Sequence, residues 1–283
     1  MKKILILGKG YIGNYLANAK TDNQIIHVSK KDIDYSDYDV FDSFLKKETP
    51  DWIINSSGYT GKPNVDACEN DKENCFLYNV KVPMVITDIA NNQKIPIVHV
   101  GSGCVYSGYE KKYTEQDLCN FGEDNECSSF YSKTKNSFER LSSGYDRYIL
   151  RIRIPFNGIP EPKNYLYKIL NYNNLINKQN SLTHVDDLID FVYKFIEKKP
   201  EFGLYNVVNE GSIDASHVVS LMKENGLENP NWKFVSIEEA NFKTQRSNCV
   251  LSTDKIKNIG LTLPDVTQRI EESIKQYKQN HKV

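Results

Sequence analysis

Four consecutive aliphatic residues, Ile4–Leu7, run straight into Gly8-Lys9-Gly10-Tyr11-Ile12-Gly13 and then into a helical pattern that reaches about Ala19. A strand read from such a continuous run is covered on both faces. Glycines at a strand-to-helix turn let the backbone bend tightly and approach a pyrophosphate, which the helix N-terminus stabilises with its amides and dipole. The same rhythm recurs through the first half. Strands are expected at Ile25–Val28, Trp52–Ile54 and Ile95–Val100, with helices around Val40–Lys47 and from about Val65 to Ala90. Strand–helix alternation with short connections predicts an α/β fold, a Rossmann-like doubly wound parallel sheet.

Beyond Pro155 the rhythm breaks, with Asn, Tyr and Lys dense from Lys163 to Asn180 and a helix opening at His184-Val185-Asp186-Asp187-Leu188. This predicts a dinucleotide-binding domain over residues 1–155, with 182–209 returning to it. Residues 156–181 and 210–283 then form a smaller C-terminal α/β substrate-binding portion. The cleft between them belongs at the carboxyl ends of the strands.

Composition excludes several classes. The chain has 283 residues, and its 36 basic and 37 acidic side chains leave a net charge of −1. No basic excess exists to track a phosphate backbone, so no nucleic-acid partner is expected. A bilayer span needs about 20 predominantly apolar residues, and the apolar runs are all far shorter, so no membrane partner is expected either. Gly8 ends the first run too early for a signal peptide. The six cysteines contain no Cys-x-x-Cys pair, so no metal site is expected and reduced thiols in a cytoplasmic protein are.

After the second strand comes Ser29-Lys30-Lys31, with Asp32 only later. Basic residues at this point suit a ribose 2′-phosphate, whereas an acid at the strand end would bond the 2′-hydroxyl. NADP(H) is therefore expected over NAD(H), with Ser29 and Lys30 at the cofactor beside Gly8, Gly10, Tyr11, Ile12 and Gly13. Tyr131-Ser132-Lys133-Thr134-Lys135 carries the main chemical signal. On a helix, Tyr131 and Lys135 lie one turn apart on one face. The cation is expected to lower the phenol's ordinary pKa of about 10, making Tyr131 a usable acid beside a ketone. Ser102, just past the fourth strand, can hydrogen-bond the same carbonyl oxygen.

On these residues the chain resembles an extended short-chain dehydrogenase/reductase of the dTDP-4-dehydrorhamnose reductase branch. Within that branch it is most similar to the bifunctional 3,5-epimerase/4-reductases that form UDP-L-rhamnose. The resemblance rests on Gly58-Tyr59-Thr60-Gly61-Lys62-Pro63-Asn64-Val65-Asp66, Cys68-Glu69, Phe130–Lys135, Arg151-Ile152-Arg153-Ile154-Pro155 and Arg246-Ser247-Asn248. It implies Ser102, Tyr131 and Lys135 as the reductase triad, with Tyr131 and Lys135 also touching the cofactor. Thr60, Gly61, Asn64 and Arg246 are implied at the nucleotide-sugar substrate, with Arg246 on the diphosphate, and a homodimer is implied. The glycine loop is one residue shorter than the usual form, Ala67 stands where close relatives have tryptophan, and Ser252 where the wider family has aspartate.

A reductase alone leaves Cys104 unexplained. It lies two residues beyond Ser102, so on an extended segment both point to one side. Serine-x-cysteine also resembles GDP-fucose synthase, another epimerase-reductase. Epimerisation beside a ketone needs a base on one face, an acid on the other and a stabilised enolate oxygen. A thiol, with an ordinary pKa of about 8.5 that a cation lowers, suits that transfer, and the resemblance implies Lys168 as its partner. The expected activity is a 3,5-epimerase/4-reductase acting on a UDP- or dTDP-linked 4-keto-6-deoxyglucose. A monofunctional 4-reductase and a non-catalytic dinucleotide-binding regulatory subunit are the alternatives.

Overall fold

The computed structural model describes residues 1–61, 64–240 and 242–280. Lys62 and Pro63 of the resemblance motif, and the last three residues of the expected substrate-binding portion, lie outside them. The first half runs β1 (Lys3–Leu7), α1 (Tyr11–Asn18), β2 (Gln24–Val28), α2 (Tyr38–Glu48) and β3 (Trp52–Asn55). Next come α3 (Ala67–Asn70), α4 (Lys72–Phe76), a π-helical turn over Leu77–Lys81, α5 (Val82–Asn92), β4 (Ile97–Ser102), β5 (Gly108–Tyr113), α6 (Phe130–Leu141) and β6 (Tyr148–Ile152). The remainder holds β7 (Pro155–Phe156), α7 (Tyr165–Asn171), β8 (Asn174–Ile176), β9 (Thr183–His184), α8 (Val185–Lys198) and β10 (Gly203–Asn206). It closes with α9 (Ala215–Glu224), β11 (Lys233–Val235), β12 (Cys249–Leu251), α10 (Asp254–Asn258) and α11 (Val266–Asn280).

Six of these strands form one parallel sheet in the order β10-β6-β4-β3-β1-β2. The doubly wound α/β expectation is met. Alternation along each strand builds the two cores: Ile4 and Ile6 of β1 and Trp52 and Ile54 of β3 enter the cluster under α8. Their neighbours Leu5, Leu7 and Ile53 enter the opposite cluster, with Phe41 of α2 and Ile86 of α5. This is why β1 reads as an unbroken aliphatic run. Strand order reverses between β1 and β3, so a crevice opens at their carboxyl ends, beside Gly8 and Ser56.

A further core joins Phe156, Leu166 and Ile169 to Val218, Met222 and Ile270. Ile256 and Leu263 pack instead on the sheet, although a division at residue 210 assigns them to the other portion.

Two expected elements differ. The helix from Val65 to Ala90 is broken at Asp71, whose backbone (φ −133°, ψ 59°) is not helical and whose carboxylate caps α4 at Asn74 N. The fourth strand is displaced two residues onward, because Lys94 turns through φ +56° and Ser102 pairs with Ile152. Ser102 is therefore the last residue of the strand rather than a residue just past it.

His99 lies buried in β4 between Asn55 and Thr87. Thr87 Oγ1 donates to Pro83 O at 2.6 Å, so it accepts from Nε2–H (2.9 Å) while Nδ1 accepts from Asn55 Nδ2 (3.1 Å). Burial, with Arg147 and Lys135 nearby, pushes this imidazole down to about 3. The unfolded chain then binds the extra proton first, so acidification below about 6.5 removes stability. Urea denaturation should show the wild type losing stability between pH 6.5 and 4.5 more steeply than His99→Gln, by up to about 1.4 kcal/mol per pH unit. Identical slopes would contradict the assignment.

Candidate active site

The glycine turn after β1 has three distinct reasons for its glycines. Gly8 holds φ +101°, and a Cβ there would lie 2.8 Å from the Ser57 backbone. A Cβ on Gly13 would meet Gly8 O at 1.9 Å and Ser56 Oγ at 2.5 Å, so this glycine lets α1 rest on the turn. Around Gly10 nothing lies within 4 Å of a Cβ. Gly10 caps α1 without a side-chain hydrogen bond, so no capping side chain covers the first turn. The residues fit a pyrophosphate by this measure. Tyr11 and Ile12 open α1 and pack against the sheet core. The Tyr11 hydroxyl reaches toward Asn157 Oδ1 at 3.5 Å, and burial raises its pKa.

At the end of β2, Asp32 accepts from Ser29 N and Oγ, each at 2.7 Å, and pairs with Lys9 Nζ at 2.9 Å. These partners hold its carboxyl well below the ordinary range, Lys9 first. Lys30 stands over the Tyr78 ring at 5.1 Å, with Asp34 at 3.8 Å.

Helix α6 presents Tyr131 in its first turn. Ser129 Oγ caps the helix by accepting from Ser132 N at 3.1 Å, and Glu69 Oε1 accepts from Phe130 N at 2.6 Å. One turn on, Lys135 Nζ lies 5.5 Å from the centre of the Tyr131 ring. A Cβ on Gly58 would sit 3.5 Å from that ammonium, so Gly58 lets the chain lie against it. Below Lys135 is a cavity of ≈20 Å³, room for about one water, lined by Asn55, Ser57, Asn79, His99, Ser102 and Glu139.

The expected lowering of the Tyr131 pKa is not what this geometry gives. Burial raises it most, the nearby Cys104 raises it further, and a hydrogen bond with Ser102 pulls it back. Lys135 is itself pushed down by burial, so desolvation outweighs the charge one turn away. The phenol stays protonated near neutrality.

Ser102, Cys104, Tyr131 and Lys135 are brought together. The reason for Cys104 differs from the expected one, because the chain turns directly after β4 rather than continuing extended. Cys104 N donates to Ser102 Oγ at 3.2 Å, so a hydroxyl-stabilised turn, not strand alternation, sets the thiol beside the serine. Cys104 Sγ lies 3.9 Å from Arg153 Nη1.

Lys168, half-buried in α7, is joined to none of these four by a hydrogen bond or ion pair among the described residues. Burial lowers its pKa, and the charge of Lys163 lowers it further. Lys163 Nζ donates to Thr60 Oγ1 at 2.8 Å. Gly61 turns at φ +67° against Ala67, and Asn64 Oδ1 accepts from Asp66 N at 2.9 Å. Arg246 makes two 2.7 Å bonds to Asp66 and covers the Phe242 ring at 4.1 Å. Its guanidinium is thus already engaged by a carboxylate.

Two supports escaped the sequence reading. Asn79 clamps Tyr59 N and O at 2.9 and 2.8 Å and donates to Thr134 Oγ1 at 3.2 Å. Arg153 lies in the Arg151–Pro155 stretch, where the sequence assigns it no role. Neither side chain follows a periodicity that exposes it, since both act across long sequence separations.

The family model described as RmlD substrate binding domain matches residues 1–279. The chain belongs to this family. It carries the extended short-chain dehydrogenase/reductase fold. This RmlD family member is 29% identical over 285 residues to the Arabidopsis thaliana trifunctional UDP-glucose 4,6-dehydratase/UDP-4-keto-6-deoxy-D-glucose 3,5-epimerase/UDP-4-keto-L-rhamnose-reductase RHM1. That match takes in 97% of the chain but spans only 41% of the relative's length. Among solved structures, the L780 UDP-rhamnose synthase of Acanthamoeba polyphaga mimivirus superposes with a TM-score of 0.88 at 27% identity, covering 97% of this chain and 99% of that one. The dTDP-4-dehydrorhamnose reductase of Bacillus anthracis, solved in complex with NADP, shares the fold with a TM-score of 0.81 at 18% identity, covering 98% and 99%. No helix among the described residues is long and apolar enough to cross a membrane.

The two kinds of glycine should separate on mutation. Gly13→Ala should lower unfolding stability by at least about 2 kcal/mol through its backbone clash. Gly10→Ala should stay within about 0.5 kcal/mol of wild type, both read by urea denaturation. Equal losses would refute the packing assigned to Gly13.

Proposed function

We propose that this chain is an NADPH-dependent 3,5-epimerase/4-reductase that converts a UDP- or dTDP-linked 4-keto-6-deoxy-D-glucose to the nucleotide-linked L-rhamnose. The observation that carries this reading is the thiol of Cys104, folded back by a turn onto Ser102 and close enough to Tyr131 to act on its ionisation. A plain 4-reductase needs the serine, tyrosine and lysine but has no use for that thiol. The near full-length likeness to the mimivirus L780 UDP-rhamnose synthase supports the same reading.

In this reading residues 1–155, with 182–209, hold the dinucleotide, and 156–181 with 210–283 hold the nucleotide sugar. Gly8, Gly10, Tyr11, Ile12 and Gly13 take the pyrophosphate. Ser29 and Lys30 take the ribose phosphate, with Asp32 neutralised by Lys9 and turned onto Ser29. NADPH, when bound, supplies the hydride that reduces carbon 4. Epimerisation comes first: Cys104 and Lys168 exchange protons at the carbons flanking the ketone, one from each face of the sugar, while Ser102 and Tyr131 hold the enolate oxygen. Tyr131, kept protonated by burial, then gives its proton to the carbon-4 oxygen during reduction. Lys135 and Ser102 stabilise the phenolate that remains. Thr60, Gly61 and Asn64 border the sugar, and Arg246 reaches the diphosphate by sharing its charge with Asp66.

Purified protein incubated with the unepimerised 4-keto sugar and NADPH, in UDP and dTDP forms, should give the L-rhamno product by NMR. A D-configured product at carbons 3 and 5 would reduce the enzyme to a plain 4-reductase. Cys104→Ser should lower L-product formation at least a hundredfold yet still oxidise NADPH with an already epimerised substrate. Tyr131→Phe should lose NADPH oxidation with either substrate.

A further inference from the structure

Arg153 follows β6 directly and is buried to 1% exposure, yet no carboxylate among the described residues pairs with it. Every partner of its guanidinium is neutral. Nη1 donates to Gly103 O at 3.0 Å and Ser247 Oγ at 2.8 Å, and Nη2 donates to Asn180 Oδ1 at 2.6 Å and Ser247 O at 3.1 Å. Nε–H is buried without an acceptor. Arg151, two residues earlier and equally buried, has Glu139 at 2.5 Å. A buried cation without an anion is costly, because desolvation is repaid only by a paired opposite charge. The atom in reach that can become an anion at the cleft is Cys104 Sγ, 3.9 Å from Nη1.

Two backbone features hold the pair together. A Cβ on Gly103 would lie 2.9 Å from Arg153 Cγ, so only glycine lets the Cys104 turn rest on the arginine stem. Ile154 holds φ +40°, costly for a β-branched residue and more so before a proline, and this twist follows directly on Arg153.

We propose that Arg153 is the positioning residue and counter-charge that holds Cys104 as the thiolate base of epimerisation. This rests on the reading of the chain as an epimerase/reductase. The thiolate takes the proton from the carbon beside the ketone. The S–H bond forms, the C–H bond breaks, and its electron pair moves onto the carbonyl oxygen held by Ser102 and Tyr131. The Lys168 ammonium returns a proton to the opposite face, leaving an amine and a thiol that exchange with solvent to reset. Arg153 gives up no proton, so its charge is fixed across the cycle. Other titratable groups also face this pair. Tyr131 and Lys135 border Cys104 on the α6 side, and Cys249 and Tyr109 lie near Arg153. Burial raises the Cys249 thiol above its ordinary value, which keeps it neutral and leaves the arginine's charge to Cys104.

The test is the rate of iodoacetamide alkylation at Cys104, followed by peptide mass spectrometry on the full chain from pH 6 to 9. An opposite charge within about 4–6 Å changes a group's ionisation by one to three pH units. Arg153→Met should therefore slow Cys104 alkylation at pH 7 by about tenfold or more, with the rate recovering by pH 9. Arg153→Lys, which keeps the charge, should stay within about threefold of wild type. Asn180→Asp puts a carboxylate where the Nη2 acceptor now stands and should slow the reaction as Arg153→Met does. It answers the question even where Arg153→Met fails to fold. Wild-type rates at pH 7 in Asn180→Asp, or a loss that does not recover at high pH, would overturn the proposal. Wild-type enzyme assayed separately for turnover of the unepimerised ketone tests the underlying reading, since a failure there leaves the alkylation result standing.

Discussion

The parallel pairing of β4 with β6 is the constraint on which the site depends. Ser102 lies opposite Ile152, and Gly103 N donates to Ile152 O at 3.0 Å. Both strands therefore end at the same level of the sheet, one releasing Ser102 and Cys104 and the other Arg153. Helix α6 joins these strands by the crossover that parallel pairing demands, and its first turn delivers Tyr131 and Lys135 to the same edge. A slip of one residue between β4 and β6 would turn Ser102 to the other face, and four chemical groups would lose their common centre.

Desolvation then sets the character of those groups. It holds the Tyr131 phenol protonated, depresses Lys135 and Lys168, and keeps His99 neutral beneath them. Three arginines are met by a carboxylate: Glu139 for Arg151, Asp66 for Arg246, and Asp187 for Arg269. Arg147 and Arg153 are buried against neutral groups instead, and of the two it is Arg153 that lies beside the thiol.

Much of the fold is legible in the sequence because β1 and β3 bury alternate residues in two cores, which forces unbroken runs such as Ile4–Leu7. The glycine turn is legible for a related reason, since Gly8 and Gly13 meet backbone that no side chain fits. The break at Asp71 is not. It depends on Tyr59, whose hydroxyl bonds the Asp71 carboxylate at 2.6 Å, a contact no helical periodicity encodes. The Cys104 turn is hidden likewise, because alternation assumes an extended chain and the Ser102 hydroxyl bends it. Tyr131 and Lys135 can be read from their spacing, whereas the direction of the Tyr131 shift cannot, since burial is a tertiary quantity. Arg153 stands in plain sight in its motif, but that it lacks an acid partner becomes visible only when every neighbouring side chain is in place.

The central claim is that one cleft both inverts the carbons flanking the ketone and reduces the ketone itself. Proton NMR of the unepimerised 4-keto sugar with enzyme in deuterium oxide, before any NADPH is added, tests it most directly. The account predicts exchange of solvent deuterium into carbons 3 and 5, retained in the L-configured product once NADPH is supplied. Reduction to product with both positions still fully protonated would contradict it.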